Sequence, residues 1–193
     1  MPEGNPNIQI EETKTLSDDW YVLRKIHFRY RQRDGRWTSQ TREAYDRGNG
    51  AVLLLHDPET DMIILTRQFR MPTYVNGNHD GMLVEACAGL LDGENPEAAI
   101  IREAEEETGY HPRKLQKLFE AYMSPGSVTE LLHFYIGEYD SSTLMHEGGG
   151  VEGEEDIEVI ELPLDEAKSL LESGGIRDGK TIMLVQHLLL NRR

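Results

Sequence analysis

The stretch Gly89-Leu-Leu-Asp-Gly-Glu-Asn-Pro-Glu-Ala-Ala-Ile-Ile-Arg-Glu-Ala-Glu-Glu-Glu-Thr-Gly109 decides how the rest of the chain is read. Its second half predicts a helix over residues 96–108. Asn95 is a good N-cap, because its short side chain can accept a backbone N–H of the first turn. Pro96 suits the first helical position, and Gly109 suits the left-handed stop. At about 100° per residue, Glu103 and Glu107 lie about 40° apart, with Glu106 about 60° off on the same side. Ile101, Ala104 and Thr108 fall on an adjacent face that can pack on a sheet, and Glu105 points toward solvent. Like charges at this spacing cost roughly a few tenths of a kcal/mol per pair unless something neutralises them. Their face borders the apolar one, so the carboxylates converge at the edge of the core. Such a cluster suits a hard divalent cation; Mg2+ prefers oxygen ligands, needs few protein groups and keeps waters for substrate phosphates.

Upstream of this helix, residues 51–56 and 62–66 are short, dense β-formers joined by a turn at Asp57-Pro58, and residues 82–88 read as another strand. Downstream, 115–123 and 131–139 alternate around Ser124-Pro125-Gly126. A glycine-rich acidic loop over 148–156 leads to a strand at 157–162, and residues 164–172 and 181–191 read as amphipathic helices. The N-terminus has a different texture. Its first dozen residues read as a loose lead-in, residues 20–31 as a half-buried strand, Asp34-Gly35 as a hairpin turn and 38–45 as the returning strand. Two long polar strands are not stable alone, so this arm must lie on the main body or on another subunit. The expected fold class is α/β (α+β): a mixed β-sheet with a few helices in residues 48–193, and an N-terminal antiparallel β arm in residues 1–47.

At 193 residues the chain has the length of one domain with a small appendage. Twenty Lys and Arg face 35 Asp and Glu, a formal charge of −15. That excess speaks against nucleic acid and an anionic membrane surface as partners, both of which require basic patches. The longest apolar run, residues 51–55, is far too short to span a bilayer, and no charged-then-apolar leader opens the chain. The single cysteine, Cys87, excludes an intrachain disulfide and a Cys cluster for zinc, and reads as a small buried side chain. A soluble, cytoplasmic protein is expected. His79, His111, His133 and His146 are scattered without metal-like spacing.

Arg102-Glu103-Ala104-Glu105-Glu106-Glu107-Thr108-Gly109, with Glu94 and a glycine before it, resembles the Nudix box. There is one departure: four residues separate Gly89 from Glu94 where the usual box has five, so either Ala88 replaces the glycine or the turn is tightened. The resemblance extends over nearly the whole chain and narrows to the GDP-mannose pyrophosphatase branch of the family. It is carried by Leu16-Ser-Asp-Asp-Trp20, Tyr45-Asp-Arg-Gly-Asn-Gly-Ala51, Arg67-Gln-Phe-Arg70, Cys87-Ala-Gly-Leu-Leu-Asp92, Gly148-Gly-Gly-Val-Glu152 and Ile176-Arg-Asp-Gly-Lys-Thr181. It implies an α/β/α sandwich, a homodimer with exchanged N-terminal strands, and Mg2+-dependent cleavage of a nucleotide sugar, GDP-mannose giving GMP and mannose 1-phosphate.

Residue by residue, the resemblance makes Glu103 and Glu107 metal ligands, with Ala88 adding a main-chain oxygen and Gly89 and Leu90 running beside the substrate. Glu106 is implied as a further ligand or an orienting group. On the acidic loop, Glu155 is implied as metal ligand and general base, with Glu154 its neighbour in the site. Composition alone reads that loop as surface; a glycine-hinged loop could also close on substrate. Arg70 has a fork suited to phosphate, although a surface pair with an acid is an equal reading. Trp20, Arg42 and Glu43 are implied at the nucleotide across the dimer, Glu130 near the sugar or base, and Lys180 at the substrate. From the residues alone, an aromatic such as Trp20 on a strand is more often core or interface packing, and a lysine such as Lys180 at a helix start is usually solvated. Two alternatives stay open: ADP-ribose or another nucleotide sugar as substrate, and a nucleotide sensor without turnover. The intact Arg102-Glu103 and Glu106-Glu107 pattern argues against the sensor, which has no need of a repulsive cluster.

Overall fold

The computed structural model describes residues 4–151, 153 and 155–192. The chain separates into two compact units, Met1–Asn49 with Tyr122–Leu131, and Gly50–Ala121 with Leu132–Arg193. Glu154, one of the candidate site residues, lies outside the described residues.

In the first unit an antiparallel sheet runs in the order β1 (Ile8–Asp18), β2 (Val22–Arg31), β3 (Trp37–Asp46). The expected loose lead-in is therefore a strand from Ile8 onward, and the arm has three strands rather than two. Its strand character was hidden because every residue of β1 is exposed, so no burial pattern marks it. Its order comes from the backbone ladder with β2, interrupted by irregularities at Ile10/Glu12 and Thr15/Ser17. The turn between β2 and β3 uses Gly35 at φ +86°. No residue of the three strands is fully buried. The segment 122–131 joins this unit by backbone bonds from Tyr45 N–H to Ser127 (2.8 Å) and from Thr129 N–H to Tyr45 (3.0 Å).

The second unit is built on a mixed sheet of β4 (Gly50–Asp57), β5 (Met62–Phe69), β6 (Met82–Glu85), β7 (Cys87–Leu90), β8 (Arg113–Tyr122), β9 (Leu131–Glu138) and β10 (Glu158–Pro163). The order is β10-β5-β4-β9-β8, with β6 on β5 and β7 on β4. β4 and β9 run parallel; β4–β5, β5–β6, β4–β7 and β5–β10 are antiparallel. The helices are α1 (Met71–Val75), α2 (Pro96–Thr108), α3 (Leu164–Ser173) and α4 (Gly179–Asn191). Ala51, Leu53 and Leu55 of β4 form a core with Ile100 and Ala104 of α2. The alternate residues Val52 and Leu54 are equally buried on the opposite face, where α4 packs on β4 with Leu184 and Val185 buried. A strand buried on both faces needs a helix layer on each side, and the result is an α/β/α sandwich.

Three details differ from the sequence reading. Ile100, not Ile101, is the fully buried isoleucine of α2, so the apolar face is turned toward Ala99 and Ile100. Glu105 is not free in solvent but pairs with His111. The single strand expected over 82–88 is two strands with different partners: Phe69–Thr66 for β6 and Gly50–Leu53 for β7. The change of partner falls at Ala86, whose N–H leaves the ladder and donates to Thr181 Oγ1 at 2.7 Å. Beside that break Glu85 meets the N-terminal turn of α4, where Lys180 Nζ lies 3.2 Å from its Oε1.

Candidate active site

The helix α2 is fixed at both ends. Asn95 Oδ1 accepts the Glu97 N–H at 2.9 Å, and Gly109 closes the helix at φ +79°. A side chain at Gly109 would overlap the His146 carbonyl, so this position admits glycine alone. Arg102 relieves repulsion within the acidic face, reaching Glu103 at 3.0 Å, Glu106 at 2.9 Å and Glu94 at 3.6 Å. Glu106 is thus the i+4 partner of Arg102, a brace on the guanidinium.

Glu107 is 4% exposed, and its Oε2 has no hydrogen-bond partner. Burial lifts its carboxyl to about 7; the Cys87 thiol and Arg70 pull it down, while the charges of Glu103 and Glu155 push it further up. Burial likewise raises Glu103, with Arg102 opposing and Glu106 and Glu155 adding to the rise. Glu103, Glu107 and Glu155, from a helix and a distant loop, therefore share one electrostatic neighbourhood. Strand β7 passes close beneath. A Cβ built on Gly89 would overlap the Glu103 carboxyl group. The Cys87 thiol, fully buried, is raised well above its usual range, which leaves it an unreactive neighbour.

The glycine loop is anchored to α2. Gly149 N–H donates to the Glu107 carbonyl at 2.9 Å and Gly150 N–H to the Glu106 carbonyl at 3.0 Å. These bonds satisfy two of the carbonyls a helix end leaves open. Gly148 and Gly150 have φ +72° and +81°, and a side chain at Gly148 would meet the helix backbone. The same glycines that composition reads as a surface loop thus form a fitted joint. Glu155 is exposed, and its Oε2 accepts the Val151 N–H at 3.1 Å.

On the cationic side, Arg70 follows β5, and its Nε and Nη2 both donate to Glu85 Oε2, at 2.9 and 2.7 Å. Lys180 is not a solvated helix start: its Nζ lies 3.2 Å from Glu85 Oε1 and 2.9 Å from Asp178 Oδ1, with its side chain 14% exposed. Glu85 and Asp178 were missed from the sequence. A lone glutamate in the apolar run Met82-Leu-Val-Glu-Ala-Cys87 was the available signal, because buried carboxylates persist only with partners.

Leu90 ends β7 opposite Gly50 of β4, and the remaining candidates belong to the first unit. Trp20 is 84% exposed and meets Tyr21 edge-on, so it does not pack in a core. Arg42 and Glu43 line an open cavity of about 580 Å³ with Tyr122, Gly126 and Val128. Glu130 is largely buried, 3.4 Å from Arg47, whose guanidinium lies over the Tyr21 ring.

Among the described residues, no three His, Cys, Asp or Glu side chains already stand together as a metal cage. Glu103 is turned to Arg102, and Glu155 to its own loop backbone. The donor set nevertheless fits a hard divalent cation. All the donors are oxygens, negative charge is in excess, and the buried Glu107 Oε2 has no proton donor to satisfy it.

An α/β/α sandwich presenting this glutamate helix against a glycine-bearing strand defines the class, and the sequence comparisons agree. Residues 46–185 match the NUDIX domain, and residues 7–45 match the GDP-mannose pyrophosphatase NudK N-terminal domain. The chain belongs to the Nudix family and is a hydrolase acting on a diphosphate linkage. It is 56% identical over 183 residues to a GDP-mannose pyrophosphatase of Pectobacterium atrosepticum, covering 95% of this chain and 94% of that one. It is 52% identical to those of Cronobacter sakazakii, covering 95% and 96%, and of Citrobacter koseri, covering 94% of each. No helix among the described residues is long and apolar enough to cross a membrane.

Proposed function

We propose that the chain hydrolyses GDP-mannose to GMP and mannose 1-phosphate with Mg2+, in the cytoplasm, as a homodimer. The observation that carries this reading is the near full-length similarity to GDP-mannose pyrophosphatases, across both the N-terminal and the Nudix segments. Glu103, Glu107, Glu155 and the Ala88 main-chain oxygen hold the metal, with Glu106 steadying Arg102 behind them. When bound, Mg2+ neutralises charge on the diphosphate and lowers the pKa of water. Arg70 and Lys180 bind phosphate oxygens, and Gly89 and Leu90 let the substrate approach β7. Glu155 accepts a proton from the water that attacks phosphorus; the new P–O bond forms as the bridging P–O bond breaks. Trp20, Arg42, Glu43 and Glu130 take the nucleotide, with a second copy of the chain completing the site, and Glu154 flanks the base.

Initial rates against GDP-mannose, ADP-ribose, GDP-glucose and UDP-glucose, with products resolved by chromatography, test the substrate. The expected preference is GDP-mannose, with all turnover lost in EDTA and restored by Mg2+. Preference for ADP-ribose, or tight binding without turnover, would overturn it. For the base, Glu155→Gln is expected to lower kcat by about 10²- to 10⁴-fold with KM changed only a few-fold. An unchanged kcat removes Glu155 from that role.

A further inference from the structure

Glu85 has no part in the hydrolysis itself, yet it is a carboxylate only 3% exposed, at the centre of an ionic cluster that is buried except for Arg70, whose side chain stays 38% exposed. One of its oxygens takes both Nε and Nη2 of Arg70, and the other takes Lys180. Asp178 holds Lys180 from a second side at 2.9 Å, while its Oδ2 accepts the Thr181 N–H at 3.0 Å at the start of α4. Two cations and two carboxylates make a nearly neutral group. Buried ion clusters of this kind add little net stability over well-packed apolar side chains, so their upkeep points to another role.

The neighbouring carboxylate supplies that role. Glu107 keeps an unsatisfied buried oxygen although it lies within the field of Arg70. A guanidinium released from Glu85 has Glu107 as an alternative partner, and pairing there would fill the oxygen that a metal needs. We infer that Glu85 is a positioning residue: it holds Arg70 and Lys180 away from Glu107, leaving that carboxylate open to a divalent cation. Among the described residues Arg70 Nη1 makes no hydrogen bond, so the clamp leaves one edge of the fork for a phosphate. This inference rests on Glu107 being a metal ligand.

Direct Mn2+ binding to the substrate-free protein, followed by the EPR signal of free Mn2+, tests it. Glu85→Gln, whose amide oxygen can still accept from Lys180, is expected to weaken Mn2+ binding roughly tenfold or more, as outer partners of metal ligands do. Removing the released cation as well, in Arg70→Gln with Glu85→Gln, is expected to return Mn2+ affinity to near the wild-type value. A purely structural role would lower thermal stability in Glu85→Gln and leave Mn2+ affinity intact, and that result overturns the inference while Glu107 stands as ligand. A double variant as weak as the single one overturns it too. If Glu85→Gln does not fold, Glu85→Asp, which keeps the charge but draws the carboxylate back from Arg70, takes its place: Mn2+ affinity lowered there and restored by adding Arg70→Gln supports the clamp, and unchanged affinity rejects it. A wild-type protein that binds no Mn2+ removes both this inference and the metal reading beneath it.

Discussion

Gly89→Ala is expected to fold normally and to lose at least about 100-fold in turnover, because displacing Glu103, which we propose as a metal ligand, exceeds the usual 10–100-fold cost of disturbing the outer partners of such a ligand. Gly89 does not require a left-handed backbone; what it lacks is room, since a methyl group there would overlap the carboxyl group of Glu103. The obstructing atoms are the far end of a flexible side chain, so the cheap relief is for Glu103 to swing aside. Strand β7 and its pairing with β4 can stay in place. Gly109 and Gly148 offer the contrast: a side chain at either one meets backbone, and both have positive φ. Alanine at those positions is expected to cost stability first. Circular dichroism, thermal melting and kcat on one preparation separate the two cases. A Gly89→Ala enzyme with wild-type kcat would show that Glu103 does not need its present position.

The difference between these glycines also shows what the sequence could reveal. Helix α2 was legible to the residue, because Asn95, Pro96 and Gly109 are local signals and each acts within one turn of itself. The core strand β4 was legible from its unbroken apolar run, which only a doubly covered strand sustains. Strand β1 was not, since it is ordered by hydrogen bonds to β2 and buries nothing. The break at Ala86 was equally hidden, because its cause, Thr181, lies 95 residues further along. In the site the same division holds. Glu103, Glu106 and Glu107 announce themselves by spacing along one helix. The role of Arg102 as the counter-charge to three acids, and the clamp of Glu85 and Asp178 on Arg70 and Lys180, depend on side chains meeting across elements. Periodicity carries no information about such meetings.

Glu107→Gln is expected to abolish Mg2+-dependent turnover and, in EDTA, to make the protein more stable than wild type above pH 7. Burial raises the Glu107 carboxyl from 4.5 to about 7 in the folded, metal-free chain. Below pH 4.5 the group is protonated whether the chain is folded or not, and it contributes no pH dependence. Between pH 4.5 and 7 the unfolded chain has released this proton while the folded chain retains it. Wild-type stability therefore falls as pH rises through that window and levels off above it. At 1.36 kcal/mol per pH unit, the loss from this one group approaches about 3 kcal/mol. Other carboxylates titrate in the same range, Glu103 in the same direction, so the quantity to compare is the difference between variant and wild type. Urea denaturation at pH 5 and pH 8 in EDTA should show that difference growing with pH in favour of glutamine. Saturating Mg2+ at pH 8 should then raise the wild type, since a cation satisfies the ionised carboxylate, and leave Glu107→Gln much less affected. Equal pH slopes in the two proteins would mean that Glu107 is ionised at no cost in the folded chain. In that case its unpaired oxygen is solvated, and the case for a cation there fails with it.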